Sequence, residues 1–167
     1  MKKLPRFVPA CSLLLVTALL AACGGGSDDP APTTVNASVT VGAATPLALN
    51  GIYATSNLSL SSVEKKNPIG NDPEVCSFRF SGLQQVGSDR LMDGDIRYIP
   101  GTGSGLYVAF VSISGAEYSS RTTDNVLIDK SSNELRFAGK RLTAGNGDAL
   151  TLTGSIPMRP ESRPEGC

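Results

Sequence analysis

The sequence predicts an all-β fold, a small single-domain β-sandwich or β-barrel of about eight mostly antiparallel strands, and three observations predict it. Apolar and polar residues alternate with period two over short stretches, most clearly at Val35, Ala37, Val39 and Val41 and again at Cys76, Phe78 and Phe80. Successive side chains of a pleated strand point to opposite faces, so this alternation marks half-buried strands. The stretches are punctuated by turn formers, with 18 Gly and 11 Pro in 167 residues, which suits strands and tight turns. Charged residues make up only 18% while Ser and Thr are frequent, a composition that favours short strands over helices.

Each element follows from its own residues. The first strand covers 35–41; segments 46–50, 52–55 and 58–63 continue in the same style, and a polar loop with Pro68, Gly70 and Pro73 fills 64–74. In 75–83 the alternation turns Cys76, Phe78 and Phe80 inward and Ser77 and Arg79 outward. Segments 95–99 and 106–113 form a hairpin across Pro100-Gly101-Thr102-Gly103-Ser104-Gly105, and 106–113, apolar on both faces, belongs near the centre of a sheet. Two further hairpins turn at Lys130-Ser131-Ser132-Asn133, between 125–129 and 134–138, and at Ala144-Gly145-Asn146-Gly147-Asp148, between 141–143 and 149–156. An apolar-x-apolar-x-Gly pattern recurs, beginning at Leu47, Phe78, Val111, Leu135 and Leu150 and ending at Gly51, Gly82, Gly115, Gly139 and Gly154. The starts lie 31, 33, 24 and 15 residues apart, too irregular for a solenoid. The glycines are therefore expected on the inward face, where strands bend, bulge or end.

Ahead of these strands, Lys2, Lys3 and Arg6 precede sixteen uncharged residues, 7–22, rich in leucine. This is the profile of an export signal, and it falls short of the roughly 20 apolar residues that span a bilayer. Ordinary cleavage before Cys23 would require a small residue where bulky Leu20 stands. The junction Leu20-Ala21-Ala22-Cys23 instead resembles the lipobox of bacterial lipoproteins. The resemblance implies a diacylglyceryl thioether on Cys23, cleavage just before it, and acylation of the new amine by a chain such as palmitate. Acyl chains contribute about 0.8 kcal/mol per buried CH₂, so two or three hold a protein firmly to a membrane. Gly24, where an inner-membrane retention signal would place aspartate, implies outer-membrane delivery, facing the periplasm. Cleavage after Gly24, giving a soluble protein, is the alternative. The resulting organisation is a signal peptide over 1–22, the lipidated cysteine and a Gly, Ser, Asp and Pro-rich flexible tether over 23–34, and an all-β domain over 35–167. No domain family is resembled beyond residue 35.

Loss of 1–22 leaves 145 residues with twelve basic against fifteen acidic side chains, a net charge of −3. That balance offers nothing to attract nucleic acid. Cys11 departs with the signal and Cys23 carries lipid, so Cys76 and Cys167 are expected to pair in an oxidising compartment and pin the tail to the domain. An intermolecular bond through Cys167 is the other possibility.

The chain contains no His and no Trp, which removes the usual general base, the usual catalytic triad and the commonest metal ligand. No catalytic residue, metal or cofactor is expected. Asp93-Gly94-Asp95 offers paired carboxylates, but its glycine favours a solvated turn. Gly145-Asn146-Gly147-Asp148 stands as a single copy where calcium-binding rolls need tandem ones. Lys130 or Lys140 beside a serine is the only nucleophilic pairing of note. Tyr53, Tyr98, Tyr107 and Tyr118 suit core or rim positions, or a ligand surface. The expected function is a non-catalytic, membrane-anchored envelope lipoprotein with a structural or protein-binding β domain. A barrel carrying a small apolar or sugar ligand is the alternative, and a carboxylate or Ser-Lys hydrolase the third reading.

Overall fold

Alternating side chains need a second layer to cover their apolar face, and here one sheet supplies it by closing on itself. In a computed structural model of the chain, which describes residues 36–56, 61–101, 105–159 and 163–167, the alternating stretches become ten strands. They are β1 (Ala37–Gly42), β2 (Gly51–Thr55), β3 (Ser62–Lys66), β4 (Val75–Gln85), β5 (Leu91–Tyr98), β6 (Leu106–Ile113), β7 (Ala116–Ser120), β8 (Val126–Asp129), β9 (Glu134–Thr143) and β10 (Ala149–Pro157). Eight of them, in the order β10, β1, β2, β4, β5, β6, β7, β9, form a closed antiparallel barrel through the β9–β10 pairing. The other two continue interrupted staves. β3 pairs with the first half of β4 while β2 meets its last residues, and β8 and β7 divide β9 in the same way.

The barrel is an internal repeat. Strands β1–β5 and β6–β10 share one pairing scheme: first with second, second and third with the fourth, and fourth with fifth. Equivalent residues meet equivalent partners. Phe80 faces Gly94 and Phe137 faces Gly154; Val39 pairs with Tyr53 and Val111 with Tyr118; Phe78 faces Ile96 and Leu135 faces Ile156. Equivalent strands run in the same direction, so the halves are related by rotation about the barrel axis. The irregular spacing in sequence comes from unequal connections. Val39 and Val111 are 72 residues apart, Tyr53 and Tyr118 65, Phe80 and Phe137 57, and Gly94 and Gly154 60. The first half therefore carries seven extra residues between β1 and β2 and eight between β3 and β4, and the second carries three extra in the adjoining ends of β9 and β10, whose connection, 144–148, is as long as 86–90.

Several expectations are corrected by this arrangement. Only two of the five apolar-x-apolar-x-Gly motifs, those ending at Gly82 and Gly139, are equivalent. Both glycines sit at register shifts in the β4–β5 and β9–β10 ladders with φ of 77° and 79°. A Cβ on Gly139 would meet open space, so the left-handed backbone of the bulge, and not an inward position, calls for glycine. Segment 46–50 is a single helical turn (Leu47–Leu49), not a strand. β3 runs three residues into the expected polar loop, β5 begins four residues before 95, and β9 crosses 139–140 without a break. β7 had no counterpart in the alternation because Tyr118 is its only large inward side chain.

Inward side chains fill the barrel, as an eight-stranded ring allows. Tyr53, Tyr98, Tyr118, Phe78, Phe80, Leu83, Met92 and Ile96 are fully buried in one core cluster. The Phe80 ring lies where a side chain on Gly94 would go, an aromatic covering the gap that glycine leaves. Each mouth has a cap. At one, the β1–β2 loop buries Ala44 and Leu49 and takes the Tyr53 and Tyr118 hydroxyls on the Leu49 and Thr45 carbonyls at 3.1 and 3.4 Å. At the other, the C-terminal residues fold in, and Tyr98 donates to the Cys167 carbonyl at 2.9 Å.

Candidate functional site

Leu20, Ala21, Ala22 and Cys23, the sequence-predicted lipid-attachment site, lie outside the described residues, as does the tether. Cys76 and Cys167 are bonded, their Cα atoms 5.6 Å apart across 91 residues. Cys76 points inward from β4 opposite Tyr98, and the tail it holds is secured further. The Gly166 carbonyl accepts from the Gly101 N–H and from Lys130 Nζ, both at 2.9 Å, and Arg163 donates to the Lys130 carbonyl at 3.0 Å. Burial raises the Tyr98 hydroxyl to about 12 and lowers the Lys130 ammonium, whose nitrogen stands 5.6 Å over the Tyr98 ring.

The residues weighed for catalysis are occupied elsewhere. Asp93-Gly94-Asp95 is not a turn but the middle of β5, its glycine being there to receive Phe80. The extended backbone places both carboxylates outward, where Asp93 accepts from the Gly82 N–H at 2.8 Å and Asp95 from Ser77 Oγ at 2.6 Å. Gly145-Asn146-Gly147-Asp148 is a turn in which Asn146 and Asp148 bond each other. Among the described residues no three His, Cys, Asp or Glu side chains converge.

Lys140 is fully buried at the place where the first half has Leu83. Its ammonium donates to the Thr122 carbonyl and hydroxyl at 2.5 and 2.7 Å, the Asp124 carbonyl at 3.1 Å and the Asp124 carboxylate at 3.5 Å. The Thr122 hydroxyl is the main reason the Asp124 carboxyl lies below its ordinary value, with the Lys140 charge adding to it. A buried cation is costly unless paired, and this one is fully partnered by the β7–β8 connection. It closes the break between those strands.

The outer surface separates the halves most clearly. Thr153, Ser155, Pro157 and Ser38, on β10 and β1, are small or uncharged; their equivalents on β5 and β6 are Asp93, Asp95, Arg97 and Phe110. Arg97 stands over Phe110, its guanidinium carbon 5.3 Å from the ring centre, and donates Nε and Nη2 to Asp95 at 3.0 and 2.8 Å. Arg121 stands 5.1 Å over Tyr107. Tyr107 donates to Asp72 at 2.5 Å, so the long β3–β4 loop crosses β5 and is tied to β6. Under this strap lies a cavity of about 60 Å³ lined by Lys66, Asn67, Ile69, Asp72, Arg97 and Tyr107. Sequence reasoning missed this cluster because its members come from four separate segments. The repeated Arg79-Phe80-x-Gly82 and Arg136-Phe137-x-Gly139 are the signal from which the halves, and so their difference, were recoverable.

Fold and site together define a closed, internally repeated β-barrel with both mouths capped and one face strapped. No family model, no curated protein and no solved structure matches the chain, so its chemistry is read from its own residues.

Proposed function

We propose that the chain is a non-catalytic envelope lipoprotein, anchored through acylated Cys23 to the outer membrane, whose barrel binds a partner on its outer surface. The observation that carries the reading is the lipobox Leu20-Ala21-Ala22-Cys23 set between a basic, apolar leader and a glycine-rich tether. The pairing of Cys76 with Cys167 supports it, since it leaves Cys23 as the one mature cysteine without a disulfide partner. The interior filled by Tyr53, Phe78, Phe80 and Tyr118 favours surface binding over carriage of a ligand inside the barrel. Lys140, the one fully buried amine among the described residues, is bonded to loop oxygens and not to a serine, which supports a structural part for it. Replacing Cys23→Ser should abolish labelling by radioactive palmitate and move the protein to the soluble fraction. Unchanged labelling and membrane retention would refute the anchor.

A further inference from the structure

We infer that the strapped cavity on the β5–β6 face is a binding site for an oxyanion group, the carboxylate or phosphate of an acidic ligand. This rests on the partner-binding reading above and names the chemistry of the partner. Because the barrel is a repeat, each half is a control for the other: features that closure of the ring requires occur in both. The β3–β4 strap occurs only in the first. The corresponding β8–β9 connection is a tight turn over 130–133, in which Asp129 accepts from the Ser131 and Ser132 N–H groups. The outward positions equivalent to Arg97 and Phe110 hold Pro157 and Ser38.

The cavity is of mixed character, with Ile69, Pro73 and Val75 beside the donors of Lys66, Asn67 and Arg97. Lys66, Asn67 and Arg97 line it, and Arg97 spends two of its five donors on Asp95. Arg97 is already oriented by Phe110 and Asp95, and Asp95 in turn by Ser77. Little side-chain freedom remains to be lost on binding, which favours capture of a planar or tetrahedral anion. Two carboxylates stand nearby, and each has a partner: Asp72 accepts from the Tyr107 hydroxyl and Asp95 binds Arg97. Among the lining residues Lys66 and Arg97 stand against Asp72, one net positive charge on a domain whose mature chain is net negative. A volume of about 60 Å³ holds a few waters or one such group, so the rest of the ligand would lie along the exposed rim at Ile69, which is 81% accessible.

The test is an NMR titration of the intact, isotope-labelled chain in detergent micelles, with inorganic phosphate in one arm and D-glucuronate in the other, at constant ionic strength. Saturable shifts of Arg97 Nε–H and of Asn67 and Tyr107 are expected. Saturation by phosphate alone identifies a phosphate source and saturation by glucuronate an acidic sugar. Lys66→Gln should weaken binding about tenfold, as expected for loss of one charge-assisted hydrogen bond, and shortening 67–73 to the length of the β8–β9 turn should abolish it. Shifts that grow without saturating, or that are unaltered by Lys66→Gln, would reduce the effect to ordinary screening and overturn the site. Palmitate labelling of Cys23 in the same preparation separates this failure from failure of the anchor.

Discussion

The two halves of the barrel solve one packing problem with largely the same residues and then diverge. Ala37 and Ala109, Val39 and Val111, Tyr53 and Tyr118, Phe80 and Phe137, Gly94 and Gly154, and Ile96 and Ile156 are identical pairs, and all belong to the inner layer or its bulges. Beyond those pairs the first half adds the mouth-capping β1–β2 loop, the strap and, within the inner layer, the half-cystine Cys76. The second half has Asn133 in place of Cys76, with its buried Oδ1 left without a partner, and replaces Leu83 with Lys140. Shared residues mark what closure of the ring demands; unshared ones mark what was added to it.

Four experiments press on that comparison, in order of expected effect. Converting Cys76→Ser together with Cys167→Ser removes a link that the first half makes to the C-terminal tail and the second half does not. By the chain-entropy treatment of a loop of 91 residues the loss is about 4.5 kcal/mol, read as a fall in the urea midpoint by circular dichroism. The paired glycines come next. A side chain on Gly154, held at φ 135°, would overlap the Ser38 backbone carbonyl, whereas one on Gly94 would overlap the Phe80 ring. Gly154→Ala should cost about 3 kcal/mol or more and Gly94→Ala about 1–3, because a ring yields where backbone cannot. Equal costs would show that the two positions are more alike than their surroundings suggest.

Lys140→Met makes the second half resemble the first. The expected loss is about 1–3 kcal/mol from the Thr122 and Asp124 acceptors it abandons, with faster hydrogen exchange over 121–125 and none of that acceleration in β4. The smallest effect belongs to the capping tyrosines. Tyr98→Phe should cost about 1 kcal/mol and Tyr118→Phe, whose bond is longer, less. Tyr98 also carries a pH signature. Its folded value, about 12, lies above the ordinary tyrosine value of 10, so its neutral form is favoured in the fold. The stabilisation is fully present below about pH 10 and disappears as the pH climbs through about 12. Denaturation midpoints across that interval should fall less steeply in Tyr98→Phe than in the parent chain.

Strands with two or more large inward residues were legible in the sequence. Cys76, Phe78 and Phe80 announce β4, and the pairing of Cys76 with Cys167 follows from counting cysteines. Strands that rely on neighbours for burial were not. β3 presents Glu64, Lys65 and Lys66 around a single inward Val63, and β7 presents Ala116, Glu117 and two serines around Tyr118. Asp93-Gly94-Asp95 has the local chemistry of a turn, and only Phe80 on the next strand explains why it is extended. The strap escaped for the same reason. Its loop is polar and unremarkable until Asp72 meets Tyr107 from two strands away.

The two interrupted staves give the ring a mechanical character that its topology conceals. β2 meets β4 through two residue pairs, Tyr53 with Gln85 and Ala54 with Gln84, and β7 meets β9 through one, Ser119 with Thr143. These seams face each other across the barrel, dividing it into one leaf of β4, β5, β6 and β7 and another of β9, β10, β1 and β2. Three ladder pairs, with the Val86 N–H on the Ile52 carbonyl at 2.8 Å and Gln85 Nε2 on the Asn50 carbonyl at 2.9 Å, join the leaves. The two seams are the shortest ladders of the ring, and Lys140 rivets one of them by tying β9 to the β7–β8 connection.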